Sequence, residues 1–517
     1  MSFTRRNFIM QSGLGAASIL TQMRRAAAEK RGDQDALQKQ LTADPQRPQY
    51  HFLPPANWMN DPNGPLFWKG SYHLFYQHNP NGAYWGDMHW GHARSKDLVH
   101  WEHLPMALAP TPRGPDKDGC FSGSAFVNDG VPTLVYTGVF PEVQCLATSD
   151  DAMIRWKKFE CNPVLDAPPA GLQVTGFRDP TIWKEADSWL MTVGSGFKGQ
   201  GGAVLLYGSK DLTHWTYLHT LLTASPFEEK THAAHAIRYD AVAVGDMWEC
   251  PDFLPLAQKH CLLVSTQGRV YYFTGSYSHQ KFQRESAGLV DGSDLYYAAK
   301  SFLGQGGRRI LWGWLREART EAAQRQAGWA GVMSLPRVLS LGPEDSLQID
   351  PIPELRMLRG KHFEFGESEV SSLLPIEEIR GGTLEIRLKA ELRDARQVGL
   401  KVRQSPDAAE ETTIAYDTAT QNLVLDTRRS SLTPDASRRV YTTPLKLRAG
   451  EPLELTIFVD CSVVEIFANR RANLTGRIYP SRLDANGIGV IVSGGRSRIN
   501  SIEIHEMLPI SQDRLTT

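Results

Sequence analysis

A turn-like string that recurs through the first half of the chain constrains the fold more than any other feature. Ser95-Lys96-Asp97-Leu98-Val99-His100-Trp101 returns as Ser209-Lys210-Asp211-Leu212-Thr213-His214-Trp215, with a looser copy from Ser149-Asp150-Asp151 to Trp156 and a worn one from Ser276 to Phe282. Each copy follows a short strand-like run (88–93, 143–148, 203–208 and 270–274) and precedes another apolar stretch, so each reads as a hairpin. The spacing is that of propeller blades. A four-stranded unit cannot bury both of its faces alone, and packing several around an axis covers them. Ser-Lys-Asp is ordinary turn chemistry, and the tryptophan at matching offset is what separates the repeat from coincidence.

The pattern changes between Gly342 and Arg359, a polar connection carrying Pro343, Pro351 and Pro353. Beyond it, 383–392, 453–459, 463–468 and 487–492 read as strands separated by turn residues, as in a β-sandwich. A chain of 517 residues predicts two domains. The expected division is a leader over 1–28, a linker or wrapping arm over 29–47, a propeller over 48–342, a linker over 343–360 and a sandwich over 361–510. The fold class is all-β, and the frequent Gly, Pro and Trp agree with many short strands and tight turns. Basic and acidic residues balance at 56 against 57, so no long-range field concentrates nucleic acid or an anionic membrane, and a neutral substrate fits better. None of the six cysteines forms a C-x-x-C pair, which points away from zinc knuckles and redox motifs and leaves disulfide pairing open.

The first residues read as an address. Thr4-Arg5-Arg6-Asn7-Phe8-Ile9 places two arginines before an apolar, small-residue run from Phe8 to Leu20, and Ala26-Ala27-Ala28 follows as a cleavage site. This is the pattern of a twin-arginine export signal, with an apolar run too short to span a bilayer. An amphipathic helix of the mature protein is the alternative. Export predicts a periplasmic or secreted protein with no membrane insertion.

Three carboxylates stand in unusual local settings. In Trp58-Met59-Asn60-Asp61-Pro62-Asn63-Gly64-Pro65, Pro62 restricts Asp61 to an extended conformation and Gly64 permits a sharp turn, so the acid can be presented rigidly. In isolation the same string makes a good Asx-turn. Phe177-Arg178-Asp179-Pro180 sets an aspartate beside an arginine, and Met247-Trp248-Glu249-Cys250-Pro251-Asp252 sets a glutamate among apolar neighbours. The expectation is that Asp179 stays ionised beside Arg178, whereas Glu249 holds a proton against an apolar wall. Each, taken alone, also fits a structural ion pair or a surface glutamate.

These three motifs, in this order, resemble glycoside hydrolase family 32, the family of invertases, inulinases and levanases. The likeness extends through Trp90-Gly91-His92, Phe121-Ser122-Gly123-Ser124, Trp312-Gly313-Trp314, Gly328-Trp329, Leu335-Pro336-Arg337, Phe458-Val459-Asp460 and Val464-Glu465-Ile466-Phe467. The resemblance implies a five-bladed propeller followed by a β-sandwich, and hydrolysis of β-fructofuranosides with retention through a covalent fructosyl-enzyme. By the same resemblance Asp61 is the nucleophile, Glu249 the acid/base and Asp179 the stabiliser of the transition state, with their carboxylates spaced for retaining chemistry. Asn60, Gln77, Trp85, Phe121, Ser122, Arg178 and Trp312 complete the expected substrate site, where amide, hydroxyl and aromatic groups suit a polyhydroxylated ring. Trp85, Trp312 and Trp329 fit the core equally well.

The implied substrates are sucrose, inulin or levan, with exo-attack as the family's majority habit. Export argues against a phosphorylated sucrose delivered inside the cell. A fructosyltransferase on the same scaffold and a non-catalytic fructan-binding protein are the alternatives; retention of all three acids weighs against the second. No metal or cofactor is expected, and nothing in the sequence fixes an oligomeric state. Gly194-Ser195-Gly196-Phe197-Lys198-Gly199 matches a dinucleotide fingerprint but precedes a strand-like run rather than a helix. His89 with His92, and His232 with His235, have metal-compatible spacing without a completing ligand set.

Overall fold

The computed structural model describes residues 35–224, 246–512 and 515. The leader, the start of the expected arm, and His232 and His235 lie outside the described residues. Residues up to Asp44 form a unit of their own, in which 35–43 are helical. The linker or wrapping arm expected over 29–47 thus contains a helical stretch. Ala36, Leu37, Gln38, Lys39 and Leu41 are strong helix formers, and a charged, Gln-rich composition hid that propensity.

From Pro45 onward the chain is one compact unit built of strands. Five antiparallel sheets follow one another along the chain. Their first strands are Asn57–Trp68, Cys120–Asn128, Val174–Glu185, Glu249–Leu256 and Tyr296–Leu303. Each first strand packs against the first strand of the next sheet, and the fifth packs against the first. That closed order around an axis is the arrangement of a propeller. A two-residue strand, Trp329–Ala330, pairs in parallel with the start of Asn57–Trp68 and ties the later chain to the first sheet.

The recurrent string is the hairpin between the third and fourth strands of a sheet. In the first sheet the Ser95 hydroxyl accepts from the Leu98 N–H at 2.8 Å, Asp97 Oδ1 accepts from the Val99 and His100 N–H groups at 2.9 and 2.8 Å, and Trp101 Nε1 donates to the Leu98 carbonyl at 3.1 Å. Ser209, Asp211 and Trp215 repeat these contacts in the third sheet. Leu98 and Leu212 share a left-handed φ of 69° and 70°. The motif is therefore a side chain-to-backbone knot closed within seven residues. The worn copy has lost it: His279 and Gln280, both at positive φ, make a two-residue hairpin instead.

The expected linker over 343–360 is corrected. Leu347–Pro351 pairs with Arg337–Leu341 as the outermost strand of the fifth sheet, and Pro353–Leu358 is a 3-10 turn leading into the strand Arg359–Phe365. Prolines are tolerated at the ends of an edge strand, which is why a Pro-bearing stretch concealed one.

Two sheets then face each other as a sandwich. One has Arg359–Phe365, Ser497–Met507, Thr383–Glu391, Leu453–Asp460, Val463–Ala468 and Ala472–Arg477 in that order; the other is centred on Gln397–Gln404 and Gly487–Ser493. Alternate residues such as Ile386, Ile457, Ile502 and Val490 fill the space between them. The propeller is fastened to the sandwich by buried charge. Asp460 accepts from the N–H groups of Gln49, Tyr50 and His51, and Glu465 accepts from Leu335 N–H at 2.6 Å and from Arg337 Nη2 at 2.6 Å. All six cysteines are free thiols, and no described helix is long and apolar enough to cross a membrane.

Candidate active site

Each of the five first strands carries a register irregularity at the same level. The shifts fall between Met59 and Pro62, Phe121 and Gly123, Arg178 and Thr181, Glu249 and Asp252, and Tyr297 and Lys300. A bulge opposes an extra residue to its partner strand, bends the backbone and redirects side chains. Here the residues at or beside the bulges are Asn60, Asp61, Ser122, Asp179, Glu249, Cys250 and Tyr297. Asp179, Cys250 and Ala298 take positive φ values of 64°, 50° and 52° to do so. Local strain of this kind persists where surrounding structure enforces it.

The dinucleotide-like glycines have a packing role. A Cβ on Gly194 would meet the Trp248 carbonyl oxygen at 2.6 Å, and one on Gly196 would meet the Asp246 carbonyl oxygen at 2.0 Å. With Trp248 N–H donating to the Ser195 carbonyl at 2.9 Å, these glycines let the segment before Glu249 lie directly on the third sheet.

The redirected side chains line one cavity of about 390 Å³. Asp61, Asp179 and Glu249 are all in its wall, and so are Asn60, Gln77, Trp85, Phe121, Ser122 and Arg178. Asp61 is gripped by donors: Ser122 Oγ to Oδ2 at 2.6 Å and Asn60 Nδ2 to Oδ1 at 3.1 Å. Asn60 is itself fixed by Trp58 Nε1 at 2.8 Å. Burial raises the Asp61 pKa, and the Ser122 and Asn60 bonds oppose that rise. The Cys250 thiol bridges the aspartates, with Sγ 3.5 Å from both Asp61 Oδ2 and Asp179 Oδ2. Gln77 donates to the Cys120 carbonyl at 2.9 Å, while Trp85 is 58% exposed and meets Phe121 edge-on at the mouth.

Arg178 and Asp179 are not the pair that their adjacency in sequence suggests. Arg178 does not hydrogen-bond to Asp179; its two terminal nitrogens go to Glu142 Oε1 at 2.8 Å and Glu249 Oε1 at 2.6 Å. Asp179 accepts instead from Cys250 N–H at 2.9 Å. Burial pushes the Asp179 pKa up to about 7, against the pull of Arg178 and with help from the charges of Glu249 and Asp61. Tyr297 donates to the other oxygen of Glu249 at 2.5 Å.

Trp312 is not in the cavity. It is buried, 1% exposed, and packs edge-on against Trp101 at 5.6 Å. Trp314 lines the cavity in its place. Trp312 faces Lys300 in register while Trp314 faces Tyr297, so Trp312 sits one pleat away from the bulge level. Trp329 is equally buried, beneath Arg319 at 4.3 Å. Sequence reasoning also missed Tyr297, Glu142, Met88 and Phe140. Tyr297 stands at the edge of the register shift in the fifth first strand, as Glu249 does in the fourth, a placement that no local sequence signal marks.

The match to known proteins decides the family. Residues 51–351 match the glycosyl hydrolases family 32 N-terminal domain and residues 354–506 match the family 32 C-terminal domain. The chain belongs to glycosyl hydrolase family 32. It is 36% identical to a sucrose-6-phosphate hydrolase of Escherichia coli, covering 86% of this chain and 94% of that one. It is 35% identical to a raffinose invertase of Escherichia coli, covering 84% and 89%. Among solved structures, fructan 1-exohydrolase IIa from Cichorium intybus superposes with a TM-score of 0.81 at 28% identity over 90% of this chain and 98% of the other. The family 32 chain is thus a glycoside hydrolase with an N-terminal propeller and a C-terminal β-sandwich.

Proposed function

We propose that this family 32 enzyme releases fructose from unphosphorylated β-fructofuranosides through a covalent fructosyl-enzyme. The observation that carries the reading is the convergence of Asp61, Asp179 and Glu249 on one cavity of about 390 Å³. Asp61 attacks the anomeric carbon, and the Ser122 and Asn60 hydrogen bonds that fix its carboxylate orient it for in-line approach. Glu249 protonates the leaving oxygen and then draws a proton from water, with Tyr297 and Arg178 holding its two oxygens in place. Asp179, fixed by the Cys250 N–H, accepts from sugar hydroxyls whose bonds shorten as positive charge develops on the ring.

The carboxyls of Asp61, Glu142, Asp179 and Glu249 all line this cavity. Arg178 is the only cation among the described lining residues, and both its ends are taken by carboxylates. A phosphorylated sugar would bring a dianion into this acidic wall without a partner. That favours sucrose and fructans over sucrose 6-phosphate. The small cavity, rimmed by exposed Trp85 and Phe140, favours a terminal unit and hence exo-attack. The five sheets are read as five blades. Export by the twin-arginine route is supported by Arg5-Arg6 ahead of the apolar run.

The test is fructose release from sucrose, sucrose 6-phosphate, inulin and levan, with Asp61→Ala alongside. Release from unphosphorylated substrates that is lost in the variant supports the proposal. Preferential cleavage of sucrose 6-phosphate refutes the substrate assignment, and release unchanged in Asp61→Ala refutes the nucleophile. For export, retention of the uncleaved chain in cells carrying Arg5→Lys with Arg6→Lys is expected; unchanged export argues against that signal.

A further inference from the structure

We propose that His362, His505 and Glu503, on the outer face of the sandwich, form a binding site for one divalent transition-metal cation of the zinc class. His362 lies in the strand Arg359–Phe365 and His505 directly opposite it in the strand Ser497–Met507. Their rings stack with centroids 4.3 Å apart and planes 11° apart. Glu503 precedes His505 by two residues, so the pleat puts it on the same face. One ligand atom from each of the three residues falls within 4.8 Å of the others.

The second observation is an orphan nitrogen. His505 is 8% exposed, and its buried Nδ1 has no hydrogen-bond partner. Buried polar atoms are nearly always paired, so an unpaired imidazole nitrogen beside a second imidazole and a carboxylate calls for an occupant. The neighbouring strand offers none. Glu385, opposite His505 in register, is engaged by Arg359 at 2.7 Å and by Arg387 at 2.9 Å.

Two imidazoles and one carboxylate are the donors zinc prefers, and three protein ligands leave a fourth position for water. All-oxygen cations such as calcium and magnesium are poorly matched. Zinc bonds of about 2.0–2.2 Å lie in the plane of each imidazole, so the donors must close in and the His362 ring must turn out of its stack on His505. Exposed His362 and half-buried Glu503 have the freedom to do so. The bound ion would pin the first strand of the sandwich to its last.

The experiment is zinc titration calorimetry and thermal unfolding on the full chain, purified without a polyhistidine tag, for the wild type, His362→Ala and Glu503→Gln. His362 is exposed, so its removal leaves the core intact, and fructose release serves as the check on folding. The wild type is expected to bind one more equivalent of zinc than His362→Ala and to gain thermal stability that this variant does not. Glu503→Gln is expected to weaken that equivalent by at least about tenfold, the loss typical of even an outer-shell partner. Equal stoichiometry and equal thermal shifts in the wild type and His362→Ala overturn the site, as does a wild type that binds no zinc.

Discussion

Arg178 Nη2 donates to Glu249 Oε1 at 2.6 Å, joining two residues 71 positions apart that belong to adjacent sheets. The other end of the guanidinium is held by Glu142, which also accepts from the Phe177 N–H at 2.5 Å. Glu142 thus sets the direction of Arg178, and Arg178 sets the position of Glu249. Its charge also lowers the pKa of Asp179 relative to what burial alone would produce.

Removing that cation should therefore do two things. Arg178→Ala is expected to lower kcat/KM by about 10²-fold or more, the scale of a misplaced general acid/base. Without Arg178 the Asp179 pKa rises further, so the acidic limb of the pH–rate profile should move to higher pH. A profile of kcat/KM against pH for both proteins measures the shift; a fall in rate with an unmoved limb would reduce Arg178 to substrate binding alone.

Glu249→Ala separates proton donation from the rest of the chemistry. On sucrose the variant should lose about 10²- to 10⁴-fold in kcat. On an aryl β-fructofuranoside, whose leaving group needs no proton, the first step should be largely spared and the fructosyl-enzyme should accumulate as a burst. Equal losses on both substrates would remove Glu249 from the acid role.

What the sequence made legible follows the range of the interaction involved. The Ser-x-Asp-Leu-x-His-Trp turn closes on its own backbone within seven residues, so its recurrence made four of the hairpins legible, while the number five came from the family resemblance. Asp61, Asp179 and Glu249 were visible because Pro and Gly around them fix the backbone locally, and family resemblance supplied their roles. The partner of Arg178 was not visible, because adjacency in sequence suggested Asp179 whereas the bulge turns the guanidinium toward the neighbouring sheets. Trp312 and Trp314 are two residues apart with the same face and differ only in depth along the strand, which no periodicity reports. The carboxylate motifs at Asp460 and Glu465, far from the chemistry, turned out to fasten the propeller to the sandwich.

Asp179 also makes stability depend on pH. Its folded-state pKa of about 7 lies above the ordinary aspartate value, so the folded protein binds the extra proton between about pH 4 and 7. The sign is then destabilising as pH rises through that window. Asp179→Asn should raise the melting temperature over wild type by a few degrees at pH 8 and by much less at pH 4. Scanning calorimetry at the two pH values decides it; the opposite ordering would mean that Asp179 is held ionised after all.

The buried junction between propeller and sandwich should be the costliest place to remove a charge. Arg337 is 1% exposed in its side chain and is paired with Glu465 at 2.6 Å and Asp291 at 3.3 Å. Arg337→Ala leaves buried Asp291 without its cation and Glu465 with His51 alone, a loss of about 3–5 kcal/mol by urea unfolding. His51 completes the same cluster, with Nδ1 2.8 Å from Asp460 and Nε2 3.1 Å from Glu465. Burial lowers its pKa, but the hydrogen bonds to those carboxylates prevail and the net shift is upward. A histidine raised in the folded state contributes stability fully below its unfolded pKa of about 6.5 and loses it as pH rises through the folded value. His51→Gln should consequently cost more stability at pH 6 than at pH 9, measured by urea unfolding. A cost that grows with pH would show that His51 is neutral in the folded protein and that Asp460 is held by the backbone N–H groups of Gln49, Tyr50 and His51 alone.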